Sequence, residues 1–93
     1  MKTTLPLDPQ TQALKDSLPT CSIGDIAVKI SNRWKPVYFG ARPYLDAMAS
    51  LNSINDDYGL DSGKSIVMYF LCNAQTFRGP AAKVIKDELK RRM

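Results

Sequence analysis

Histidine is absent from these 93 residues. Its absence removes the commonest general base and the commonest metal ligand together. Cysteine is almost as scarce, with Cys21 and Cys72 far apart in the chain. A zinc thiolate centre wants closely spaced pairs, and nothing else suggests the oxidising compartment in which these two would bridge. Long apolar runs are missing too: the longest, Ile66–Cys72, has seven residues, against about 20 for a membrane-spanning helix. Met1–Pro6 has no apolar core of the kind a secretion signal carries. The expectation is a cytosolic protein that does not enter a membrane.

Acidic side chains number nine, and only Asp56, Asp57 and Asp61 cluster. That stretch lacks the spacing and the closing bidentate glutamate of a calcium loop, so a solvated turn with a helix cap is expected instead. Gly63-Lys64-Ser65 ends like a phosphate-binding loop. The full pattern needs a glycine where Tyr58 stands and a buried strand ahead of it. No metal, cofactor or enzymatic activity is expected from these residues.

What is present in excess is positive charge at one end. Arg78, Lys83, Lys86, Lys90, Arg91 and Arg92 face only Asp87 and Glu88 in the last sixteen residues, so this segment carries the whole net +4. Residues 1–77 balance at seven basic and seven acidic side chains. A charge excess confined to one segment attracts acidic partners at long range, through a field that salt weakens. An apolar fraction of 44% and a charged fraction of 24% fit one globular domain.

Periodicity predicts an all-α domain of four to five short helices. Asp8-Pro9 is a start signal for a short helix over Gln10–Leu18 with Ala13, Leu14 and Leu18 inward. Residues 1–20 are read as an N-terminal arm or short helix, mobile or docked, and 21–93 as a single helical domain. Ile23, Ile26, Ala27, Ile30 and Trp34 share one helical face, opened at Ser22 or Gly24 and stopped by Pro36. Arg42-Pro43 begins a third helix with Tyr44, Met48 and Leu51 on one stripe. Asp61 or Ser62 caps a fourth, over about 62–76. Its apolar residues point all round, as expected of a central helix packed on several sides, with Cys72 buried. A buried strand over Ile66–Cys72 fits the same run by periodicity alone. Gly79-Pro80 restarts the chain into a fifth helix that turns Ala81, Val84, Ile85 and Leu89 inward, with Glu88 and Arg92 as a partly sheltered i,i+4 ion pair.

Two surfaces stand out as candidate binding features. One is the basic stripe of Lys83, Lys86 and Lys90 with Arg78 and Arg91, suited to sequence-independent contact with phosphates or carboxylates. The fourth and fifth helices with the Arg78-Gly79-Pro80 turn resemble a helix-turn-helix, but Ala81-Ala82 offers nothing for base edges. The other is the aromatic segment with Trp34, Tyr38, Phe39 and Arg42, residue types that anchor interfaces and stack on flat ligands. Trp34 and Phe39 either plug the core where two helices meet or stand outward.

The chain from Trp34 onward resembles a family of small proteins encoded by bacteriophages and prophages. The matching residues are Trp34-Lys35-Pro36-Val37-Tyr38-Phe39-Gly40-Ala41, Pro43–Met48, Asp57-Tyr58-Gly59 and Ser65–Leu71. They continue through Asn73-Ala74, Phe77-Arg78-Gly79, Ala82-Lys83 and Lys86–Leu89. Phe77 departs from the family pattern, in which tryptophan usually precedes Arg-Gly. The resemblance implies an origin without a mechanism. By analogy with short phage proteins, it favours a binder that redirects a host protein in the host cytoplasm. The expected function is therefore non-enzymatic protein–protein interaction, with a host protein or a second copy as partner. Nucleic-acid binding through the basic last helix is the alternative, and self-assembly as a structural protein a third.

Overall fold

The computed structural model describes residues 8–93; the reading of Met1–Pro6 and the first residues of the arm lie outside it. Five α-helices make up most of the described chain: α1 Pro9–Ser17, α2 Ile23–Arg33, α3 Arg42–Met48, α4 Gly63–Cys72 and α5 Pro80–Arg92. A 3-10 turn, Leu18–Thr20, follows α1, and a two-stranded antiparallel hairpin, β1 Asp57–Tyr58 and β2 Asp61–Ser62, precedes α4. The all-α expectation holds, and α4 is a helix rather than a strand.

Local chemistry explains most boundaries. Asp8 accepts from the Thr11 amide at 3.2 Å and the Thr11 hydroxyl at 2.6 Å. These bonds, hydroxyl first, hold its carboxyl below the usual range. Ser22 and Asp25 form a capping box at the start of α2, in which each side chain satisfies an otherwise unpaired backbone donor. The Ile23 and Gly24 amides, orphans of that first turn, donate to the carbonyls of Asn52 and Leu51 at 3.1 and 2.7 Å. Gly24 permits this approach, because a Cβ there would lie 2.7 Å from the Ala49 carbonyl oxygen.

The helices pack as two pairs joined by α2. α1 lies on α5, α3 lies on α4, and α2 touches both α3 and α5. Trp34, at the end of α2, ties the pairs together. Its indole stacks on Phe77 at 5.3 Å and meets Phe70 of α4 edge-on at 6.2 Å. Phe70, Ile26, Ile30, Met48, Ile85 and Leu89 are fully buried in the same core. Leu14 and Leu18 join the same core, so residues 9–20 are part of the globule.

Three expectations need correction. In α1 the inward residues are Thr11 and Leu14, while Ala13 is exposed. α4 ends at Cys72 rather than near residue 76: the Asn73 side-chain amide Nδ2 donates back to the Tyr69 carbonyl at 2.9 Å, and its backbone N–H donates to the Phe70 carbonyl at 3.0 Å. The chain then turns to bury Ala74 and Phe77. Finally, α4 is not wrapped on all sides: Met68, Tyr69 and Cys72 are exposed. It packs mainly against α3 and the hairpin and keeps one apolar stripe facing out.

Candidate functional site

The basic residues do not form one stripe. Lys83, Lys86 and Lys90 line α5 toward the turn that precedes it, where Arg78 and Gly79 complete an open groove of about 390 Å³. Phe77 and Ala82, both buried, form its floor. Lys86 lies with its ammonium 5.8 Å from the centre of the Phe77 ring, within cation–π range. Burial lowers the Lys86 pKa, and the charges of Lys90 and Arg78 push it in the same direction. The groove therefore concentrates like charge without enough acid to balance it. Asp87 is its only carboxylate and is spent on Lys83 at 3.0 Å. That pair is solvent-exposed and contributes little.

Arg91 is turned away from this groove. Its guanidinium grips Glu88 with Nε to Oε1 at 3.0 Å and Nη2 to Oε2 at 2.6 Å. Arg92 completes the cluster: Nε donates to Glu88 Oε2 at 2.7 Å, Nη1 to the Cys21 carbonyl at 2.8 Å and Nη2 to the Leu18 carbonyl at 2.6 Å. The sheltered Glu88–Arg92 pair expected from spacing is present. Its further role, capping the turn after α1 across the molecule, was not visible in the spacing.

The aromatic residues also divide. Trp34 is 7% exposed and belongs to the core, out of reach of any partner. Phe39 is 81% exposed and Tyr38 43%, their rings 4.9 Å apart and tilted by 58°. Arg42 is exposed at the start of α3. Tyr38 closes a shallow cleft of about 310 Å³ with Cys72, Asn73, Gln75 and Thr76 at the end of α4. Tyr69 adjoins it along the helix and packs on Tyr44 at 5.5 Å, and Met68 extends the face. The result is an aromatic and sulfur-rich surface running from the 35–40 linker onto α4.

One segment, residues 73–79, borders both features. Asn73, Gln75 and Thr76 face the aromatic cleft, whereas Phe77, Arg78 and Gly79 face the basic groove. Sequence reasoning missed Met68, Tyr69 and Cys72 as surface residues, since an unbroken apolar run gives no sign of which side lies uncovered. It also passed over the hairpin tip, where Leu60 is fully exposed and Tyr58 about half exposed. The available signal was two apolar side chains placed between aspartates in an otherwise polar turn.

Asp56, the centre of the acidic cluster, accepts from the Asn52 and Ser53 amides at 2.8 and 3.2 Å. Its carboxylate thus caps a turn. Among the described residues no three His, Cys, Asp or Glu side chains converge as metal ligands, and no helix is long and apolar enough to cross a membrane. At Gly63-Lys64-Ser65, Ser62 caps α4 by accepting from the Ser65 amide at 3.1 Å, as an ordinary helix start does. No family model, curated protein or solved structure matches this chain.

Proposed function

We propose that the protein is a non-enzymatic binder that works by protein–protein interaction, with the face formed by Tyr38, Phe39, Met68, Tyr69 and Cys72 as its contact surface. The observation that carries this reading is the exposure of Phe39, Met68 and the half-exposed Tyr38 and Tyr69, with Tyr38 set against Cys72 at the end of the helix that carries Met68 and Tyr69. Aromatic residues and methionine are enriched at protein interfaces, and a clustered apolar face on a folded domain needs a cover. Arg42 at its edge supplies a guanidinium for the polar rim. The basic groove around the corner adds long-range attraction, so approach is favoured toward partners with acidic surface. Given the resemblance to phage-encoded proteins, a host cytoplasmic protein is the partner proposed.

The test compares capture from host lysate by the parent chain and by Phe39→Ser/Met68→Ser. Both side chains are exposed, so the variant is expected to unfold at nearly the same temperature while losing the captured protein. Equal capture by the two chains sinks the reading. Lys83, Lys86 and Lys90 changed together to glutamate are expected to slow association and leave the fold intact. A lost fold would mean that these lysines are structural.

Nucleic-acid binding is the second reading, favoured by the crowding of Lys86, Lys90 and Arg78 in one groove with a single, already paired carboxylate. A gel shift with mixed-sequence DNA and RNA at two salt concentrations separates it, since phosphate contact weakens steeply with salt.

A further inference from the structure

The hairpin and the basic groove are complementary to each other. The groove has an apolar floor, Phe77 and Ala82, rimmed by Arg78, Lys86 and Lys90. The hairpin presents the reverse pattern, with Leu60 fully exposed at its tip and Asp57 and Asp61 exposed on either side. Neither aspartate takes part in an ion pair among the described residues, whose salt bridges use only Asp87 and Glu88. A leucine side chain fits the volume of the groove, and its two flanking carboxylates match the three cations that lack a counter-ion.

Within one molecule the hairpin packs on α4 and makes no extensive contact with α5, which carries most of the groove. We propose that the hairpin of one copy docks into the basic groove of the next, giving a head-to-tail association of this chain with itself. The contact is heterologous: each copy offers a hairpin and a groove as two different surfaces, the kind of contact that builds rings or open chains. The inference rests on the groove being a seat for acidic surface and names the chain itself as the source of that surface. It leaves the aromatic face of α4 free for the partner proposed above.

Sedimentation velocity over a wide range of protein concentration tests it. In about 0.1 M salt the mean mass should rise with concentration. In about 1 M salt, where the screening length falls from about 10 to about 3 Å, association should weaken at least tenfold. Asp57→Asn/Leu60→Ser/Asp61→Asn removes the hairpin contact and Lys86→Gln/Lys90→Gln removes the groove. Each variant alone should stay monomeric with an unchanged circular-dichroism spectrum. Mixed together, they should form a one-to-one complex and nothing larger, because one lacks a plug and the other a socket. A parent chain that is monomeric throughout in low salt overturns the proposal. So does self-association that survives the hairpin variant, whichever other face then carries it. If the two variants fail to pair when mixed while the groove variant alone loses nucleic-acid binding, the groove serves that ligand and the head-to-tail contact is wrong.

Discussion

Arg92 offers the sharpest test of how the two ends of the chain are joined. Its guanidinium bonds the carbonyls of Leu18 and Cys21 and the carboxylate of Glu88, at 2.6 to 2.8 Å, and it is 15% exposed. Arg92→Ala removes three charge-assisted bonds. Glu88 keeps both contacts from Arg91, so the mutation does not strand a buried charge. The loss is then mainly the two carbonyl bonds, at about 1.5 kcal/mol or somewhat less each for a charged donor with some water access. Together they come to about 2–3 kcal/mol. For a domain of this size that lowers Tm by about 10–20 °C and removes a sizeable part of a total stability of about 5–15 kcal/mol. Arg92→Lys keeps the charge near Glu88 but cannot fork to three acceptors, and should recover less than half of the loss. Arg91→Ala is the milder comparison: Arg91 is 62% exposed and Glu88 keeps its bond from Arg92, so the loss should be about 1 kcal/mol or less. Urea unfolding followed by circular dichroism reads all three. If Arg92→Ala falls within about 0.5 kcal/mol of the parent, as ordinary surface substitutions do, the clamp contributes nothing and the reasoning fails.

Three further predictions follow from the same structure. Gly63→Ala would place a Cβ 2.8 Å from the Asp56 carbonyl oxygen and 2.9 Å from that of Ile54; forcing backbone apart there should cost about 1–3 kcal/mol in urea unfolding. Trp34→Ala should cost about 3–5 kcal/mol as a buried aromatic truncation, whereas Phe39→Ala should change stability by less than about 0.5 kcal/mol, and equal losses in thermal melts would contradict the separation of core from surface. The Glu88 carboxyl is held below its ordinary value first by Arg91 and then by Arg92, against the opposing effect of burial. A depressed carboxyl stabilises the fold above its unfolded pKa, near 4.5, and that contribution fades as pH falls through the folded value. Stability measured below about pH 4.5 should therefore decline less steeply for Glu88→Gln than for the parent.

Helix starts were legible because their signals are local. Asp8-Pro9, Ser22 with Asp25, Arg42-Pro43 and Gly79-Pro80 each act on backbone donors or torsions within one turn of themselves, and every one of them opens a helix. The inward face of α2 was legible for a related reason. Its apolar residues recur at helical spacing against polar neighbours, and all five, Ile23 to Trp34, are buried. The same logic failed on α4. Ile66–Cys72 is apolar throughout, so composition could not distinguish Phe70, which the core encloses, from Met68 and Tyr69, which it does not.

The amino-acid sequence by itself pointed to the helical class and determined the caps, the absence of histidine and the concentration of positive charge in the last segment. These depend on composition or on contacts within a turn. Only the tertiary structure decided which aromatics are exposed, that Arg91 and Arg92 leave the lysines to grip Glu88 and the turn after α1, and that Leu60 stands exposed between aspartates while Phe77 floors a basic groove. Each of those outcomes depends on which neighbour covers a given side chain. That neighbour can be seventy residues away, as Cys21 and Leu18 are from Arg92, at separations of 71 and 74, where no periodic pattern reaches.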